Sequence, residues 1–79
     1  MLDELKTAKK VVGIKQLRKA LSTGEVKKVF LADDADPMLT QPLAEQCRAL
    51  QITVVCVPTM KQLGAACSIC VGAAVAAIL

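Results

Sequence analysis

The sequence predicts an α/β sandwich in which one central mixed sheet of four strands lies between helical layers. Three observations predict it. Short β-branched runs alternate along the chain with stretches of helical spacing, Gly or Pro stands at most of the changeovers, and the run Ile52–Val57 is apolar at all but Thr53, as in a strand covered on both faces.

Leu2–Lys10 offers a short helix with Leu2, Leu5 and Ala8 inward. Val11 and Val12 suit a strand. At Gly13 the period changes, because Ile14, Leu17 and Leu21 recur at i, i+3 and i+7, so the glycine is the hinge between a strand and a helix starting near Ile14. Gly13 has no Cβ to hold a ligand away from the backbone, and the first N–H groups of that helix are available as anion donors. Lys15, Gln16, Arg18 and Lys19 fall outside the apolar stripe, toward solvent or a partner. Gly24 ends the helix.

Val26–Ala32 reads as the next strand, with its basic pair where the strand begins. The three carboxylates of ADDADP, Asp33, Asp34 and Asp36, invite a metal or catalytic role. A structural account is stronger: Asp36 before Pro37 fits an N-cap followed by proline at the first helical position, leaving Asp33 and Asp34 in a loop. Leu39, Leu43, Cys47 and Leu50 form one stripe on the helix that follows, which ends before the strand Ile52–Val57. Thr59 and Gln62 have capping-box spacing, so a helix starts near Met60 with Met60, Leu63 and Cys67 on one face. A loop around Ser68–Gly72 and a small-residue strand over Ala73–Leu79 complete the order.

The chain of 79 residues is expected to be one domain, and 54% hydrophobic with 22% charged residues is a globular composition. Its charge is unevenly spread. Residues 1–28 hold eight Lys/Arg against three Asp/Glu, whereas residues 29–79 hold two against four, so one part of the chain is basic, as a surface for phosphates is. Phe30 is the only aromatic residue, which excludes the base-stacking platforms of single-strand binders; a nucleic-acid partner would have to be structured. The absence of histidine removes an imidazole general base.

Gln62–Leu79 is uncharged and long enough to span a bilayer. It contains Gly64, Ser68 and Gly72, is rich in alanine instead of leucine, and divides into a helical and a strand-like part, so no membrane anchor is expected. With no evident signal peptide, the four cysteines suggest the reducing cytoplasm over a disulfide framework. Cys67-x-x-Cys70 has the spacing of zinc knuckles and redox sites, which makes a CxxC redox or metal-dependent small protein the alternative. Zinc would need two more ligands, and Cys47 and Cys56 are expected on a core helix face and inside a buried strand. A redox pair has its first cysteine at a helix start, whereas Cys67 ends one. The cysteines are therefore read as incidental, Cys67 in the core and Cys70 in a loop, with no cofactor or metal expected.

GIKQLRKAL, the ADDADP strand exit, VPTMKQLGAAC and the terminal SICVGAAVAAIL, in this order and at these separations, resemble the superfamily of small ribosomal and kink-turn-binding proteins known as L-seven-Ae and L-thirty-e, especially its short bacterial members. The likeness covers nearly the whole chain. It implies a three-layer α/β/α sandwich and a non-enzymatic, monomeric, cytoplasmic RNA-binding protein. Its partner would be a kink-turn, in which tandem sheared G·A pairs open a groove at a sharp backbone bend, in ribosomal RNA or in structured leaders such as riboswitches. The resemblance puts Gly13 at the close backbone approach, Lys15 and Gln16 against the G·A base edges and Lys19 near phosphate. It makes Ile69, Cys70 and Val71 the apolar loop that covers unstacked nucleotides at the bend. Archaeal and eukaryotic members have Asn-Glu in place of Lys15-Gln16, a pair that resembles the bacterial form, and many members carry an acid in place of Cys70.

Overall fold

The structure, a computed structural model, describes residues 9–67, 69 and 71–79. The expected helix over Leu2–Lys10 lies outside the described residues up to Ala8, and Lys10 belongs to a strand instead. Among the described residues the elements are β1 (Lys10–Val12), α1 (Ile14–Thr23), β2 (Lys28–Ala32), α2 (Pro37–Ala49), β3 (Thr53–Val57), α3 (Met60–Ala66) and β4 (Val75–Ile78). The strands form one sheet in the order β1-β4-β2-β3, antiparallel except for the parallel pair β2–β3. The sheet is therefore mixed, as expected.

Strand register builds the two cores. Val11, Ala77, Val29 and Val54 align across the four strands, and the next row is Val12, Ala76, Phe30 and Val55. Successive residues of a strand point to opposite faces, so these rows face opposite layers. The first packs with Leu17, Ala20 and Leu21 of α1 and Leu43 and Cys47 of α2. The second packs with Leu63 and Ala66 of α3 and with Cys67. The result is the three-layer α/β/α sandwich. Ala76 and Ala77 are fully buried at its centre, Ala76 paired with Phe30, where small side chains leave room for the only aromatic ring.

Local signals set the helix ends. Gly24 closes α1 at φ 75°, a left-handed conformation that glycine takes without a Cβ penalty. The Asp36 carboxylate accepts from the Met38 N–H at 2.9 Å with Pro37 at the first helical position, as its sequence predicts. At α3 the Thr59 hydroxyl accepts from the Gln62 N–H at 3.1 Å, the Thr59 half of the expected box.

Tertiary packing corrects three expectations. β3 is an edge strand paired only with β2, and Thr53 and Cys56 are exposed, so the apolar run is not covered on both faces. A mostly apolar run reports burial propensity but carries no information on whether a second neighbour pairs with it. In α2, Leu43 and Cys47 are buried whereas Leu39, in the first turn, and Leu50, at the C-cap, are 46% and 50% exposed. The helical stripe meets the sheet only at its middle. β2 and β4 also begin two residues later than the expected strands Val26–Ala32 and Ala73–Leu79, at Lys28 and Val75.

The uncharged run from Gln62 resolves into most of α3, a connecting loop and β4, and no helix among the described residues is long and apolar enough to cross a membrane. Phe30 is fully buried on the face covered by α3. Phe30→Ala is expected to destabilise the protein by about 3–5 kcal/mol, read as a lowered urea midpoint with an unchanged denaturant slope.

Candidate functional site

Three consecutive residues leading into β4 bring the expected site together. The Ala73 N–H donates to the Met60 carbonyl at 3.0 Å, the Ala74 carbonyl accepts from the Ala32 N–H at 2.9 Å, and the Val75 carbonyl accepts from the Gly13 N–H at 3.1 Å. The first turn of α3, the end of β2 and the β1–α1 hinge therefore meet at one end of the sheet. The loop that carries Ile69 and Val71 joins the same end.

Gly13 is the N-cap of α1 at φ 104°, ψ 155°, a backbone region essentially reserved for glycine. No side chain caps the helix there, and a Cβ added to Gly13 would meet nothing within 4 Å. The site is thus open at the backbone, as the hinge requires for a close approach. The Gly13 carbonyl accepts from the Leu17 N–H at 3.0 Å, which leaves the N–H groups of the first turn directed outward, an arrangement that favours an anion.

Lys15, Gln16, Arg18 and Lys19 are exposed while Leu17, Ala20 and Leu21 are buried, so the basic and amide side chains stand on the outer face of α1. Gln16 and Lys19 also line a groove beside β1, with Val11, Thr23 and Glu25. Thr23 and Glu25 were not anticipated. Helical spacing could have identified Thr23, which lies seven residues, about two turns, after Gln16 on the same face.

Of the second expected half, Val71 is 71% and Ile69 36% exposed, apolar side chains left uncovered next to a helix. Cys70 lies outside the described residues. The loop rests on α3: the Ile69 N–H donates to the Gly64 carbonyl at 3.1 Å, and the Val71 carbonyl occupies the space a side chain at position 64 would need. Gly64 is therefore a close-contact glycine.

The sheet separates Cys47 from Cys67. Cys47 packs with α1 and α2 on one face and Cys67 under α3 on the other, so one tetrahedral ion cannot take both. Burial pushes both thiols above the ordinary cysteine value, a shift that the Lys10 charge partly opposes at Cys67, and a raised thiol is a poor nucleophile. Cys56 is exposed on β3, contrary to the expectation of a buried strand position. Among the described residues no group of His, Cys, Asp and Glu could hold a metal ion.

Comparison with known proteins accords with this architecture. Residues 2–79 match the ribosomal protein L7Ae/L30e/S12e/Gadd45 family. An RNA-binding protein of Geobacillus sp. (strain WCH70) is 43% identical over 75 residues, covering 95% of this chain and 92% of the relative. The RNA-binding protein YbxF of Geobacillus stearothermophilus is 41% identical over the same shares of the two chains. Among solved structures, the Giardia lamblia 15.5kD RNA binding protein superposes with a TM-score of 0.87 at 28% identity, covering 98% of this chain and 68% of that one.

Variant stability, amide resonances and cysteine alkylation check this geometry. Gly13→Ala is expected to cost roughly 1–3 kcal/mol through its backbone conformation alone. Gly64→Ala is expected to cost roughly 1–3 kcal/mol by overpacking and, unlike Gly13→Ala, to shift the amide resonances of Val71 and Gly72. In native alkylation followed by peptide mass spectrometry, Cys56 is expected to react well before Cys47 or Cys67; equal rates for the three in the folded protein would contradict their burial.

Proposed function

The chain belongs to the ribosomal protein L7Ae/L30e/S12e/Gadd45 family, and we propose that it is a non-enzymatic RNA-binding protein that recognises and stabilises kink-turns. The observation that carries this function is the pairing of two exposed, chemically different surfaces at one sheet end. The first turn of α1 offers Lys15 and Gln16 beside the bare backbone of Gly13, and the loop before β4 offers Ile69 and Val71.

Each component suits a bent RNA. Gln16 both donates and accepts hydrogen bonds at purine edges, and Lys15 donates to guanine acceptors, where tandem sheared G·A pairs leave a groove open enough to admit a helix N-terminus. Lys19, one turn further along α1, meets phosphate and supplies salt-dependent affinity. Ile69, Cys70 and Val71 cover the nucleotides unstacked at the bend. Apolar cover from aliphatic side chains and recognition of shape explain how the protein manages without an aromatic platform. The RNA is ribosomal or a riboswitch-type leader, the protein acts as a monomer in the cytoplasm, and it requires no cofactor.

In a gel-shift titration a kink-turn duplex is expected to bind more tightly than a straight duplex of matched length; equal affinity would reject the proposal. Gln16→Ala is expected to cost roughly 1–3 kcal/mol of kink-turn affinity and to weaken discrimination for the G·A pairs, whereas Lys19→Ala is expected mainly to reduce the salt slope by about 1.

A further inference from the structure

We propose that Asp34 is a positioning residue for the apolar loop of this RNA interface, an inference that rests on the kink-turn function proposed above. Asp34 lies in the turn after β2 and its carboxylate reaches across 26 residues of sequence to accept the Met60 N–H at 2.7 Å. Its neighbour Asp33 donates its own N–H to the Val57 carbonyl at 2.7 Å, which ties this turn to the end of the β2–β3 pair. Asp34 thereby fixes the first residue of α3 to the end of the sheet.

Met60 passes that position on. Its carbonyl accepts from the Ala73 N–H at 3.0 Å, and a Cβ placed on Gly72 would lie 3.1 Å from the Met60 Cβ, so the C-terminal side of the loop has little freedom to move relative to Met60. One turn along α3, Gly64 holds the N-terminal side through the Ile69 N–H. Residues 60 and 64 together grip both sides of Ile69–Val71, and among the described residues only residue 60 of the two is anchored from outside α3 by a side chain. The anchor is a charged acceptor, which makes a stronger hydrogen bond than a neutral one.

Electrostatics separates this role from a direct effect on RNA. A carboxylate at the end of the sheet that meets a polyanion opposes binding through its charge, so removing that charge should by itself tighten RNA binding. Positioning predicts the opposite sign for Asp34→Ala. It also predicts rescue by Asp34→Asn, which keeps the accepting oxygen and loses the charge.

The test compares wild type, Asp34→Ala and Asp34→Asn, full chain in each case, by gel shift with a kink-turn RNA and a straight duplex and by amide hydrogen exchange without RNA. For Asp34→Ala the expected results are roughly 3–10-fold weaker kink-turn binding, an unchanged salt slope and no loss of straight-duplex binding, with faster exchange at Met60 and Ala73. Asp34→Asn is expected to restore most of the affinity and of the slower exchange, its neutral oxygen being the weaker acceptor. Tighter binding by both variants, or equal loss on both RNAs, would overturn the positioning role. If wild type itself fails to distinguish the two RNAs, the kink-turn function is rejected, and Ala73 exchange then decides alone: an unchanged rate in Asp34→Ala overturns the link between Asp34 and the loop.

Discussion

The chain of backbone hydrogen bonds from Ala73 to Val75 is the constraint on which the rest of the site depends. Ala73 and Val75 are buried, and a buried backbone group without a partner is costly, so this short stretch has to bond to whatever surrounds it. Its partners are Met60, Ala32 and Gly13, one each from the first turn of α3, the end of β2 and the β1–α1 hinge. Segments separated by up to 62 positions in the sequence, as Gly13 and Val75 are, acquire a fixed relation through bonds that involve no side chain at all.

This arrangement needs a thin, rigid sheet beneath it. Alternate rows of the four strands feed two separate cores, one under α1 and α2 and the other under α3, so each helix layer is held independently against the same strands. Alanines at 76 and 77 keep β4 narrow between its neighbours and place Phe30 opposite a small partner. Such a scaffold holds one surface on a helix and both sides of the loop against the same sheet, which on the proposed function limits the reorganisation needed on binding.

The surface chemistry divides the work of recognition. In the proposed function, positive charge on the outer face of α1 supplies long-range attraction that any nucleic acid would share, and hydrogen-bonding groups near the bare backbone of Gly13 supply discrimination. The same proposal has aliphatic side chains on the loop contribute cover without the stacking platform that other RNA-binding folds use. For such a two-part grip the separation of the halves has to be fixed, so on this proposal the residues that set the separation matter as much as those that touch RNA.

By itself the sequence determined the parts whose cause is local. The period change at Gly13, the stop at Gly24, the Asp36–Pro37 helix start and the Thr59 cap each rest on interactions within about four residues, and all are legible in order. The exposed polar face of Lys15, Gln16 and Lys19 follows equally from the apolar stripe it opposes. Relations between elements were decided only by the tertiary structure. That β3 is an edge strand with Cys56 exposed depends on which strands pair, and that Leu39 and Leu50 remain uncovered depends on where α2 meets the sheet. Asp34, locally a loop carboxylate, finds its partner 26 residues away, and no spacing rule encodes that distance. Local periodicity specifies which face of an element is apolar, whereas the pairing of elements and the partner of a solitary side chain arise from packing the whole chain at once.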